Sequence, residues 1–476
     1  VHFEMNSPCF PLVFSLLYGA STVPIKTHPH KIISLPGAPI YPEFNLFSGY
    51  LNGSSNSTGA PLFYVLAEAI RVEPSIAPLI IWFNGGPGGS SLYGFFKEHG
   101  PYRVTESGDA LIYHEFSWNQ YANVLYLESP LGVGFSQNGE GDLTLNDLDA
   151  ANINFNVLKD LMTSVHPNYA DRDYYLSGQS YAGAFVPHFA LRLLKGIESG
   201  ELENKNFKGF AIGNPIFEMN SLDVASIMQY YSYGLLPLNE SDSISGLWAK
   251  LQEGARFNED EQDIIYNFFH IFENYVKINS PQHYNFIEHC FTETLSEEYH
   301  VPTDKKSISC FASDSIASYL NRADVQKAIH ANISEGTTWK NMNKLISRSF
   351  DRDNDVLPVY DDIFRLVNRS SFRVLIYNGD TDIMISPVHT IYNTQKISEA
   401  NSMEELENES WDCYGDFAGV QRHYRNGQTT MDVLTVRGAG HSVPTDLPAQ
   451  AFQMIHNFIF TEDNHAIDYS KPIRKH

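Results

Sequence analysis

The chain has 476 residues, 43% hydrophobic and 18% charged, a globular profile whose length calls for two domains or one large domain with an insertion. Its 56 acidic residues outnumber 32 basic ones for a net charge of −24, which argues against a nucleic-acid backbone or an anionic membrane surface as partner. With 18 histidines present, so acidic a surface suits work at low pH, where protonation relieves self-repulsion, or plain solubility.

Residues 11–20 form an apolar run behind Met5 that is too short to span a bilayer and ends in small residues. Residues 1–20 are therefore expected to be a secretory signal peptide, and the protein to be secreted or lysosomal with no membrane span. Sequons at Asn52, Asn56, Asn239, Asn332, Asn368 and Asn408 agree with a glycoprotein of the secretory pathway. Of the cysteines, Cys9 lies in the signal, Cys290 and Cys310 close a short loop and are the natural disulfide pair, and Cys413 is left over.

The stretches 45–51 and 61–66 read as antiparallel strands joined by a polar turn. Residues 78–83 are a continuous apolar run, the pattern of a strand buried on both faces of a parallel sheet. Runs at 122–127, 207–212, 372–377 and 432–436 repeat it, and helical patterns at 145–165, 185–197 and 449–460 lie between several of them. The expected fold class is α/β, a mostly parallel central sheet flanked by helices. From 215 to 317 the apolar pattern turns helical and irregular. That segment is expected to be a helical cap, inserted between core parts at 21–214 and 318–476.

Residues 173–187 start as a short strand run and turn abruptly at Ser177-Gly178-Gln179-Ser180 into the small residues Ala182, Gly183 and Ala184. This is a nucleophile elbow whose second glycine is displaced by one place, with Ala182 standing in the usual position. Two later strand runs end in Asn378-Gly379-Asp380 and Gly438-Ala439-Gly440-His441. The order Ser180, Asp380, His441 is that of the α/β-hydrolase fold. Ser180 would attack an acyl carbon, His441 take its proton, and Asp380 hold the imidazole. Asp382 is the competing orienter; Asp380 is preferred because it directly follows the strand-ending glycine. The backbone amides of Tyr181 and of Gly86, in Asn84-Gly85-Gly86-Pro87-Gly88-Gly89, are the expected oxyanion donors. Such glycines could form a phosphate loop, but the Lys-Ser/Thr ending is missing.

Asn84 to Leu92, Glu98-His99-Gly100-Pro101, Ser117-Trp118-Asn119, Glu128-Ser129-Pro130, Gly178 to Gly183, Tyr377 to Asp380 and Gly438 to Pro444 together resemble the serine carboxypeptidases, over nearly the whole chain. The resemblance implies an α/β-hydrolase with a cap, no cofactor and no metal, an acid optimum, and removal of C-terminal residues from peptides through an acyl-enzyme. Peptides with a free C-terminus would be the substrates, and a second copy of the chain is left open as a partner. It further implies that Asn84, Gly85, Glu98 and Gln179 bind the terminal carboxylate, and that the pair Cys290 and Cys310 corresponds to a cap disulfide.

The chain departs from the family in three places. Where the family has Glu, this chain has Gln179. In the family two carboxyls share a proton, because like charges so close cannot both ionise, whereas an amide does not titrate. Weaker dependence on acid, or an altered preference between acids and amides, is expected. The family's cysteine in the glycine loop is Gly89, and its partner in the region 339–343 is missing too. The Met after the catalytic histidine is Ser442, which makes the leaving-residue pocket more polar or changes nothing. An acyltransferase on the same scaffold and a non-catalytic protective or binding protein are the alternatives. The presence of Ser180, Asp380 and His441 together speaks against the second.

Overall fold

The continuous apolar runs become neighbouring strands in the computed structural model, which describes residues 28–40, 43–54, 60–136, 144–279, 285–287, 312–332, 338–367, 371–406, 408–461 and 466–473. The expected signal peptide, the pair Cys290 and Cys310, and the sequons at Asn56 and Asn368 lie outside the described residues. In chain order the strands are β1 Lys31–Ile32, β2 Leu46–Asn52, β3 Pro61–Ala67, β4 Leu79–Phe83, β5 Tyr102–Val104, β6 Leu111–Tyr113, β7 Asn123–Leu127, β8 Tyr174–Gln179, β9 Phe207–Gly213, β10 Arg373–Gly379, β11 Glu404–Glu405, β12 Glu409–Cys413, β13 Asp416–Asn426 and β14 Thr429–Val436. All but the β5–β6 hairpin join one sheet, in the order β1-β2-β3-β7-β4-β8-β9-β10-β14-β13-β11, with β12 on β13. From β7 to β14 every pairing is parallel; the edges beyond are antiparallel.

Alternation along each central strand explains the unbroken apolar runs. In β4, Leu79, Ile81 and Phe83 enter the core on one face while Ile80 and Trp82 enter the core on the other. In β8, Tyr174 and Leu176 go one way and Tyr175 the other. With water excluded from both faces, each such side chain contributes roughly 1.5–3 kcal/mol by burial. Helix α1, Asp147–Asp160, covers the first face; it starts at a capping box in which Asn146 and Asp149 bond each other's backbone amides. The helix expected to run to 165 continues beyond Asp160 only as the π-helical turn Leu161–Val165.

Between β9 and β10 come helices α3 Met219–Ser232, α4 Ser241–Gln252 and α5 Glu259–Asn279, following the earlier α2, Ala182–Ser199. They share a separate apolar cluster of Val224, Ile227, Tyr230, Leu247 and Phe268 that includes Ile383, from the loop after β10. This segment therefore packs on the site loop itself. Register sets the C-terminal strand ends level: Phe83 pairs with Gly178, Gln179 with Gly213, and Gly379 with Val436. The loops leaving those ends form the crevice in which open α/β sheets place ligands. Cys413 is buried and free, its thiol pushed up to about 11 by burial. Asn52, Asn239, Asn332 and Asn408 are exposed.

Candidate active site

Ser180 occupies the one-residue corner between β8 and the helical turn that leads into α2, with a φ of 64° that side-chain-bearing residues rarely adopt. The corner is pinned from three sides. Its amide donates to Gly213 O at 3.0 Å, and its carbonyl accepts from Gly183 at 2.8 Å and Ile216 at 3.2 Å. A Cβ on Gly183 would lie 2.5 Å from Ile216 O, and one on Gly178 would lie 2.5 Å from Ala182 Cβ. The second glycine is thus displaced because the close backbone approach falls at 183, while the methyl of Ala182 needs the gap at 178. Next to the corner, the Tyr181 hydroxyl donates to Asp147 Oδ2 at 2.8 Å, fixing the buried ring.

His441 follows β14 and is buried, with Nδ1 2.8 Å from Asp382 Oδ2. Asp382 has no exposed surface, and it is this carboxylate, not that of Asp380, that meets the imidazole. The expectation for Asp380 is corrected here for a geometric reason. Directly after the strand-ending Gly379, the Asp380 carboxylate turns back to accept from the Gly438 amide at 2.6 Å, closing the β10 and β14 loops together. The chain must run on through Thr381 before a side chain reaches the histidine. Asp382 Oδ1 accepts the amides of Met384 and Ile385 at 2.8 and 3.2 Å, and Oδ2 accepts Asn214 Nδ2 at 2.7 Å.

Asn214 is a site residue that the sequence reading missed. It follows the strand-ending Gly213 with a φ of 48° and also donates to Gly440 O at 3.2 Å, tying the β9, β10 and β14 loops to one another. The signal was the pair Gly213-Asn214 ending a buried strand run, the same signal used at Gly379. Helix α3 adds Gln229 Nε2 on Asp382 O and Tyr230 on Ile383 O, and Tyr233, the residue just past its end, donates to Asp380 O. Burial alone would hold the His441 imidazole down, but the charge and hydrogen bond of Asp382, with Glu98 and Asp446 behind, outweigh it and raise its pKa. An imidazole with Nδ1–H held by a carboxylate leaves Nε2 to act as the base.

After β4, Asn84 donates from Nδ2 to Glu98 Oε1 at 2.8 Å and accepts Trp82 Nε1 at 2.8 Å on Oδ1. Glu98 is buried, and burial pushes its carboxyl up to about 7 against the pull of Asn84, His441 and Arg103. Gly85 packs against the elbow: a Cβ there would lie 2.6 Å from Gln179 O and from Tyr181 N. Gly86 has a φ of 124°. Gln179 Nε2 donates to Ser442 Oγ at 3.0 Å, so the residue before the serine is bonded to the residue after the histidine. Two departures that look unrelated in the sequence are one contact. Asn84, Gly85, Glu98 and Gln179 stand together along this rim, and among the described residues no group of three or more His, Cys, Asp or Glu is arranged to hold a metal.

A family model described as serine carboxypeptidase matches residues 36–461. A serine carboxypeptidase of Caenorhabditis elegans, ctsa-4.1, is 32% identical, with 93% of this chain and 95% of that protein covered. The lysosomal protective protein of Mus musculus is 28% identical over 95% of this chain and 98% of its own. Among solved structures, that of Kex1Δp, a prohormone-processing carboxypeptidase from Saccharomyces cerevisiae, superimposes with a TM-score of 0.73 at 19% identity, covering 90% of this chain and 95% of its own.

Proposed function

The chain belongs to the serine carboxypeptidase family, and from that premise we propose that Ser180 is its nucleophile, His441 the general base and Asp382 the residue that orients and stabilises the imidazole. The observation that carries the assignment is the buried hydrogen bond between His441 Nδ1 and Asp382 Oδ2. Ser180 Oγ bonds to the scissile carbonyl carbon as His441 Nε2 takes its proton. The carbonyl oxygen becomes an oxyanion facing the amides of Gly86 and Tyr181, donors fixed before the reaction starts. Collapse of this intermediate breaks the C–N bond, His441 returns the proton to the departing amine, and water repeats the cycle on the acyl-enzyme.

Asn84, Gly85, Glu98 and Gln179 take the C-terminal group of the substrate, which confines cleavage to the last peptide bond. Residues 215–317 act as a cap over this site, a reading supported by the hold of α3 on the Asp380 to Ile383 loop. No helix among the described residues is long and apolar enough to cross a membrane. A lysosomal or secreted location accords with the similarity to lysosomal protective protein. The test is a fluorophosphonate probe with Ser180→Ala as control. Stoichiometric labelling of the wild type and none of the variant is expected; an unlabelled wild type would leave a binding protein.

A further inference from the structure

Far from Ser180 in the chain, the first strand is fastened to the sheet by imidazoles whose bonds require them to be neutral. His28 and His30, just ahead of β1, close on His166, which follows the π-helical turn Leu161–Val165, with the Tyr64 hydroxyl of β3 bonded to two of the three rings. The His28 and His166 rings stack with centroids 4.5 Å apart, and the His30 ring lies 5.6 and 6.5 Å from them. Phe47 sets its ring edge-on to both stacked imidazoles. Gly49 leaves the room for His30, since a Cβ there would lie 2.9 Å from its ring.

His28 Nε2 donates to Val165 O at 2.8 Å while its Nδ1 accepts the His30 amide at 3.1 Å, so a second proton on this ring would set N–H against N–H. Tyr64 Oη lies 2.7 Å from His30 Nδ1 and 2.8 Å from His166 Nε2. Protons on both of those nitrogens would strand the hydroxyl proton between two cations. The other titratable groups around the rings are His330, the phenol of Tyr169 with Glu68 and Arg172 behind it, and the Asp160 carboxylate, whose charge favours a cation at His30. Asp160 already accepts the Asn52 amide at 2.9 Å. Burial and the neighbouring imidazoles push His166 down to about 3 and hold His30 below its ordinary value. Little else fastens the strand: the ladder pairs Lys31 with Phe47 and Ile32 with Leu46, and His30 O accepts the Ser48 amide at 2.8 Å. We propose that residues 28–32 form an acid-released latch, held on the sheet edge at neutral pH by the neutral histidine cluster and freed in an acidic compartment, where the segment becomes open to proteolytic trimming. The latch does not depend on the chemistry at Ser180.

Hydrogen exchange read by mass spectrometry on the full chain at about pH 7.5 and about pH 5, corrected for the intrinsic exchange rate, tests this. Lowering the pH to about 5 favours an opened His166, with its ordinary value of 6.5, by about 30-fold, and His30 adds to the same side. Protection of peptides covering 28–32 is therefore expected to fall roughly 30-fold or more in acid, while β8 keeps its own. His166→Gln should keep the neutral-pH protection and shrink the fall, and His30→Gln with His166→Gln should remove most of it. Equal wild-type protection at the two pH values, or a fall undiminished in the double variant, would overturn the latch. So would a parallel loss in β8, which would mean that acid unfolds the molecule and not the strand. Protection already lost at neutral pH in both variants would assign the rings to packing alone.

Discussion

Asp380 and Asp382 sit two residues apart and serve different partners. The first holds the Gly438 amide and so the shape of the loop that carries His441; the second holds His441 itself. Asp382→Asn should lower kcat/KM by about 10³–10⁴, because an amide cannot support the imidazolium and favours the wrong tautomer. Asp380→Asn loses one charge-assisted bond at a half-buried position and should stay within about tenfold of the wild type. Steady-state kinetics on a blocked dipeptide measures both, and equal losses would return Asp380 to the orienting role. The positions of Ser180, His441 and the glycine loop at strand ends were legible in the sequence because each lies just past an apolar strand run. The choice between two aspartates was not, since it depends on how a three-residue turn points its side chains. Nor was the bond between Gln179 and Ser442, which joins positions 263 residues apart.

At the scale of elements, the glycine loop after β4 is clamped to residues 341–343. Gly89 pairs with Met342 in an antiparallel bridge, flanked by Ser90 N on Asn341 O and Asn343 N on Gly88 O, both at 2.9 Å. Those flanking bonds make Gly89 and Met342 a pair without hydrogen bonds of its own, the closest antiparallel spacing and one a disulfide can bridge. Met342, within the region 339–343, is therefore the residue that faces Gly89. Gly89→Cys with Met342→Cys should form a disulfide. It should stabilise the fold by about 2 kcal/mol, less than its long loop allows, because a Cβ at Gly89 approaches Gly85 O at 2.7 Å. Denaturant unfolding with and without reductant measures it, and no reductant-sensitive difference would rule the pairing out. The central strands were readable from their unbroken apolar runs. The helix Pro387–Ala400 was not, because much of its buried face is polar: His389, Thr390, Asn393 and Thr394 are all enclosed. Strand β13 hid likewise behind Gln421, Arg422 and His423, whose partners across the sheet no local pattern reveals.

Over the whole molecule, buried titratable groups pull stability in opposite directions and place its maximum in mild acid. Burial pushes the carboxyls of Glu98 and Glu128 up to about 7 and that of Asp223 to about 6. The fold thus prefers their protonated forms. That contribution is fully present below the unfolded carboxyl values of 3.8 to 4.5 and is lost as pH rises through about 7. His441, raised with help from Asp382, acts in the same direction. His114, His166 and His389 are pushed down to about 3, chiefly by burial. Their contribution is present above the unfolded imidazole value of 6.5 and drains away as pH falls toward 3. The two sets overlap between about pH 4.5 and 6.5, and the net charge of −24 adds self-repulsion on the alkaline side. Thermal unfolding followed across pH should therefore give a Tm that peaks at about pH 5.5, falls toward pH 8 and falls again toward pH 3. Glu128 makes the alkaline fall reach the site, for it accepts the Ser90 hydroxyl, the Phe135 amide and Trp339 Nε1 behind the glycine loop. A Tm that is flat or still rising between about pH 6 and pH 8 would show that these buried carboxyls ionise without cost and that the acid preference of the fold has another origin.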